Sequence, residues 1–164
     1  MPIRLRGFSL IELVVVVAIL AIIAMIALPN FSDKIVRDQI NEALPLADVA
    51  KSPVAAAWSL THRLPADNTT AGLPAPEKIV STYVRSTAIE NGAVHITFGN
   101  SANPLIKDKI LTLRPAVVED APVVPVSWVC AKGKVPDNMT AKGEDRTTVP
   151  AKFLPLKCRA AATK

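Results

Sequence analysis

Residues 7–28 read GFSLIELVVVVAILAIIAMIAL. From Leu13 to Leu28 all 16 residues are apolar, and only Ser9 and Glu12 interrupt the stretch that begins at Phe8. A helix that crosses a bilayer takes about 20 mostly apolar residues. A helix apolar on every face has no solvent side, so this one belongs in lipid or in a bundle of helices. Arg4 and Arg6 lie just before it. Positive charge there holds the N-terminus in the cytoplasm and sends the rest of the chain across. A cleaved signal peptide fits poorly. Its apolar region spans only about 7–15 residues and ends in a small-residue cut site, whereas this run passes into Pro29, Asn30 and an amphipathic continuation. A plain anchor leaves Glu12 unexplained. A carboxylate at such depth costs about 2.5–3.5 kcal/mol and calls for a partner.

The rest of the chain sets limits on function. Of 164 residues, 50% are hydrophobic and 4% aromatic, with 6 glycines. That composition excludes a disordered polar chain and a collagen-like one. Two histidines and two cysteines cannot make a Cys₄ zinc site or a disulfide-dense scaffold. No phosphate-binding loop, dinucleotide fingerprint or G-x-S-x-G context occurs. His62 and His95 are not joined by an acidic cluster, so neither a catalytic nor a metal site is expected, and no cofactor. The net charge of +5 sits in two places, the leader before Phe8 and the section after Val129.

Past the apolar run, Ile35, Val36, Ile40, Ala43, Leu44, Ala47, Val54 and Trp58 recur near helical spacing. The spacing predicts a helix from about Phe8 to Leu60, with Asp33, Lys34, Arg37, Asp38 and Glu42 mostly outside. Pro45 and Pro53 should bend or locally break it. Residues 61–78 read as a loop. Strands follow near Val80–Glu90, Ala93–Phe98, Lys109–Arg114 and Val126–Ala131. Asn91-Gly92 joins the first two, a strong hairpin signal. Val94, Ile96 and Phe98 take one face of the second strand, Ala93, His95 and Thr97 the other. Pro115, Pro122 and Pro125 confine the third connection to loop or edge. The expected fold class is α+β, a long N-terminal helix packed on a four-stranded antiparallel sheet. Trp58 and Trp128 read as core.

The order Gly7-Phe8-Ser9-Leu10-Ile11-Glu12, behind a short basic leader and ahead of the apolar run, resembles the processing site of type IV pilins and related pseudopilins. Residues 37–58, RDQINEALPLADVAKSPVAAAW, resemble the second half of the N-terminal helix in Gram-negative type IVa pilins, in Arg37, Gln39, Glu42-Ala43-Leu44, Lys51 and Trp58. Pro45 and Pro53 depart from that pattern. The resemblance implies a leader at residues 1–7, a membrane and filament-core helix at 8–29, and an exported head at 30–164. Within that head it implies an amphipathic helix at 30–60, a sheet at about 80–131 and a disulfide loop at 130–158. It further implies that a prepilin peptidase cuts after Gly7 and that Phe8 becomes N-methylated. Glu12 would meet the amino terminus of a neighbouring subunit, and Pro29 would mark a place where the helix bends during assembly. The precursor would reside in the inner membrane and the product in an extracellular filament. Its partners would be other subunits, the peptidase, the assembly machinery, and a host surface or DNA.

Cys130 and Cys158 beyond an export segment read as one disulfide, with two free thiols as the alternative; in the family such a pair bounds a variable loop. Lys132, Lys134, Lys142 and Arg146 are candidates for a DNA- or anion-binding patch, against a solvated surface of mixed sign. Only Phe153 is aromatic nearby, so base stacking is poorly supported. Asn68-Thr69-Thr70 and Asn138-Met139-Thr140 fit the glycosylation pattern and read as loop residues. The function expected is a structural, non-enzymatic subunit of a type IV pilus, serving adhesion, twitching motility and DNA uptake. The alternatives are a minor, DNA-binding competence pilin and a type II secretion pseudopilin.

Overall fold

The computed structural model describes residues 7–160, with the side chains of residues 26–30 excepted. Residues 1–6 of the expected leader therefore lie outside the described residues, as does Lys164. Helix α1 spans Leu10–Ala43 and α2 spans Asp48–Thr61, with a 3₁₀ turn, Leu44–Ala47, between them. The chain divides into two units, residues 1–35 and 36–164. The first is helical from Leu10 onward; the second contains everything below.

The helix expected to Leu60 is broken at Leu44–Ala47, at one of the two prolines expected to bend or break it. Pro45 occupies the first turn of the 3₁₀ segment, where its missing N–H has no helical partner to lose. Pro53 causes no break, since α2 runs through it. The carbonyl left without a helical donor is that of Val49, a residue on the exposed side of the helix. The α2 helix ends at His62, in the left-handed region at φ 55°, with its N–H bonded to the Trp58 carbonyl.

Four strands form an antiparallel sheet in chain order: β1 Val84–Glu90, β2 Ala93–Phe98, β3 Ile110–Val117 and β4 Ser127–Cys130. A fifth, β5 Thr140–Ala141, was not expected; it pairs with β3. The hairpin turn falls on Asn91-Gly92, both at positive φ. The first strand begins at Val84 rather than Val80, and the third continues past Arg114 through Pro115 to Val117. Pro115 was expected in the loop or edge structure of the connection, and it lies within β3 instead. Pro115 is paired with Trp128 of β4. On its other side the β2 pairing has ended at Leu113, and the Lys142 N–H donates to the Pro115 carbonyl at 2.8 Å. The missing proline N–H thus falls beside a two-residue strand, where it removes one rung.

Both faces of β2 are buried. Val94 and Ile96, opposite Leu113 and Leu111, join Val36, Ile40, Ala43, Ala47, Ala50 and Val54 of the helices in one apolar core. Trp58 is buried there as well, and Trp128 packs against it partly buried. His95, opposite Ala88 and Thr112, faces the other way. The C-terminal section covers that second face. Arg146 N–H donates to Thr112 Oγ1 at 3.1 Å, Thr112 N–H to Thr147 Oγ1 at 3.1 Å and Ile110 N–H to Thr148 Oγ1 at 2.8 Å. Gly143, at φ +80°, lets the chain turn past β2; a Cβ there would lie 2.7 Å from that of Ala93.

Candidate functional site

Gly7, Phe8 and Ser9 precede the helix, and a Cβ on Gly7 would meet nothing within 4 Å. The backbone at Gly7 is therefore sterically open. The Leu13 N–H bonds to the Ser9 carbonyl at 3.2 Å, which closes the first turn around Glu12. A carboxylate near a helix N-terminus is favoured by the dipole. Glu12 is exposed and makes no ion pair among the described residues. The side chains around it are equally uncovered. Phe8 is 79% exposed, and the apolar residues from Leu13 to Ile23 are roughly half exposed in every direction around the helix. Burying one such side chain is worth about 1.5–3 kcal/mol, so the segment holds a large unspent drive for association. Among the described residues no helix is long and apolar enough to cross a membrane. The end of the apolar run, from Ile26, falls where side chains are not described, and so does the side chain of Pro29.

The C-terminal loop is closed by a disulfide between Cys130 and Cys158, with 28 residues of sequence separation; no cysteine is free among the described residues. Closing a loop of that length gains about 3.5 kcal/mol on the chain-entropy account. Its corner is tight. The Gly133 N–H bonds to the Cys130 carbonyl at 2.8 Å, and a Cβ on Gly133 would lie 2.2 Å from the Lys157 carbonyl oxygen.

Three of the four candidate basic residues are paired with acids. Lys134 meets Asp137 at 3.3 Å and Lys142 meets Glu119. Arg146 holds Glu90 through Nη2 to Oε1 at 2.7 Å, and Glu144 through Nε at 3.2 Å. Lys132 is exposed and makes no ion pair among the described residues. The four are not gathered into one unneutralised patch.

Beneath the Arg146–Glu90 pair lies His95, only 6% exposed. Its Nδ1 shares a 2.9 Å hydrogen bond with Thr112 Oγ1, and Nε2 is 4.0 Å from Glu90. Burial, with the Arg146 charge in second place, pulls the His95 pKa below its ordinary value; the carboxylates of Glu90, Glu144 and Asp145 oppose this. Thr112 accepts the Arg146 N–H and so is free to donate to a neutral ring. His62 is an exposed helix cap, and among the described residues no three His, Cys, Asp or Glu side chains are grouped to hold a metal.

Asn68 lies in a loop, as expected, yet is only 4% exposed. Its Nδ2 donates to the carbonyls of Pro74 and Thr87 at 3.0 and 3.1 Å, and its Oδ1 accepts from the Ile89 N–H at 2.6 Å. It ties the loop before β1 to that strand. Its neighbours Asp67 and Thr70 form an exposed turn, where the Thr70 N–H and hydroxyl hold the Asp67 carboxyl below its usual range. Nothing in the local sequence separates this plug from a glycosylation acceptor. Asn138 is exposed at φ 63°, a turn position.

Residues 36–159 match the family described as pilin, a bacterial filament protein. Residues 4–28 match the prokaryotic N-terminal methylation motif. The chain is 36% identical to the type IV major pilin protein PilE1 of Neisseria gonorrhoeae, over 96% of this chain and 89% of that one. It is 36% identical to a fimbrial protein of Neisseria meningitidis serogroup A, over 96% of each. It is 34% identical to the fimbrial protein EcpC of Eikenella corrodens, over 96% of this chain and 93% of that one.

Proposed function

The chain belongs to the pilin family and is a structural subunit of a type IV pilus; we propose that it is the bulk subunit of that filament, held in it by the segment Phe8–Leu28. The observation that carries this reading is the exposure of apolar side chains on every side of the helix from Leu13 to Ile23. A lone chain in water leaves that surface bare, whereas a bundle of copies covers all of it at once. Lipid serves the same need before assembly, so the precursor waits in the inner membrane, oriented by Arg4 and Arg6.

A prepilin peptidase removes the leader after Gly7, and Phe8 is then N-methylated. The open backbone at Gly7 and the methylation motif over residues 4–28 support both steps. The new amino group gives Glu12 of a neighbouring copy its partner. In an apolar bundle such a pair sets register more than it adds stability. Pro29 supplies a place where the helix can bend as the subunit passes from membrane to filament. The assembly machinery acts on this product, and the finished filament serves adhesion and twitching motility at the cell surface.

The alternatives receive less support. Three of four candidate basic side chains are neutralised, and the relatives named above are major pilins or fimbrial proteins. Capture of DNA through Lys132, Lys134, Lys142 and Arg146 is therefore a secondary property of the filament at most. The deciding experiment is quantitative. Filaments sheared from the cell surface are resolved and each subunit counted by mass spectrometry. The chain should dominate the fraction, and deleting it should abolish filaments. A trace presence in filaments made of another subunit would assign it a minor role.

A further inference from the structure

Charge that the acids do not neutralise collects away from the four residues above, where α1 meets the end of the C-terminal loop. Arg37 Nε donates to the Lys152 carbonyl at 3.1 Å, and Arg159 Nη2 donates to the same oxygen at 3.2 Å. Arg159 Nε is fixed in turn on the Leu154 carbonyl at 2.8 Å. Two guanidinium groups are thus brought side by side by one backbone oxygen. Neither makes an ion pair among the described residues. Between them opens a cleft of about 280 Å³, lined by Arg37, Asn41, Leu154, Pro155, Leu156 and Arg159.

We propose that this cleft binds a phosphate-type dianion. Like charges held this close repel each other, and an anion between them removes the repulsion. Two cations match a doubly charged group better than a carboxylate, which would leave one charge over. Each guanidinium bonds the backbone through one edge and keeps further N–H donors for a ligand. Because the backbone bonds already orient both forks, little side-chain freedom is lost on binding. Asn41 adds an amide one turn along the helix from Arg37, and the proline and leucine side chains wall the cleft. The volume suits a single headgroup. The phosphate reaches the cleft either as the free ion or as a monoester at the end of a larger molecule. This site lies within residues 36–160 and does not depend on filament assembly.

The test uses the full chain in a neutral detergent, with inorganic phosphate as the probe and the arginine Nε–H signals of its NMR spectrum as the readout. Phosphate should shift the signals of Arg37 and Arg159 saturably in the millimolar range or below. Acetate at equal ionic strength should bind at least about tenfold more weakly, as a single charge does across screening solvent. Arg37→Gln should weaken phosphate at least tenfold, while Arg146→Gln should leave it unchanged. Arg37 is exposed on a helix, so its variant decides the matter even if Arg159→Gln folds poorly; an intact disulfide and unchanged melting confirm the fold. Glucose 6-phosphate separates the sources, because tighter binding than the free ion indicates a monoester and equal or weaker binding the ion itself. The proposal is overturned if phosphate does not saturate, if acetate equals it, or if Arg146→Gln weakens it as much as Arg37→Gln. Tight binding of duplex DNA that phosphate fails to displace would assign the same arginines to a polyanion instead.

Discussion

The N-terminal segment and the head solve the same problem in opposite ways. From Leu13 to Met25 the chain is apolar in all directions and its large side chains are exposed. From Val36 onward the apolar residues sit on one side of each helix, and a sheet buries them. The outer face of that sheet is closed by the chain's own C-terminal section, whose ends are tied by a disulfide buried on the helix side. One region is complete by itself, and the other is complete only among copies or in lipid. Substitutions should therefore separate cleanly: those in the first change assembly and leave the head folded, and those in the second change stability.

The largest effect is expected at Glu12. Glu12→Ala should leave the head's melting temperature unchanged, measured on detergent-solubilised subunits. Filament yield should fall by tenfold or more if, as proposed, Glu12 sets the register of the apolar bundle. Normal yield from the variant, without wild-type subunits, would break the comparison at its strongest point.

Next comes the disulfide. Cys130→Ser should destabilise the head by about 3–4 kcal/mol, read from chemical denaturation, and should loosen the outer cover before the helix–sheet core. Hydrogen exchange at Thr147 and Thr148 should rise ahead of that at Ile96. Uniform loss across both faces would show that the cover is not a separate layer.

Asn68→Ala should have a smaller effect, about 2 kcal/mol or a little more. It leaves the Ile89 N–H and two carbonyls without their partner in a buried place. An unglycosylated wild type with unchanged stability on this substitution would contradict the plug role.

The smallest effect belongs to His95. Its folded-state pKa is lowered, so the unfolded chain takes up the proton first. Its contribution is full above the unfolded value of about 6.5 and is lost as pH falls from there through the folded value. His95→Gln should remove that part of the acid dependence below about pH 6.5. A variant with the same slope as the wild type would exclude His95 as its source.

What was legible in the sequence follows from the range of the forces involved. The apolar run, the hairpin at Asn91-Gly92 and the helical spacing from Val36 to Trp58 are local patterns, and each is found in place. The pairing of Cys130 with Cys158 needed only a count. The helix break could be placed at Pro45 but not denied at Pro53, because tolerance there depends on whether the Val49 carbonyl reaches water. Pro115 stayed in its strand because the partner on its N–H side changes from β2 to β5, a long-range fact. The same holds for β5, for the buried Asn68 and for the neutralised lysines. Charges counted along the chain gave an excess after Val129, yet Glu90 and Glu119, which neutralise part of it, come from far earlier. Arg37 and Arg159 are 122 positions apart in number, and only folding brings them to one carbonyl.

Mass spectrometry of the N-terminal peptide from sheared surface filaments tests directly whether the apolar segment behind Gly7 becomes the start of an assembled filament subunit. The peptide should begin at Phe8 and carry one methyl group. A filament subunit that retains Met1–Gly7, or one that begins near Pro29 with the apolar segment gone, would contradict it.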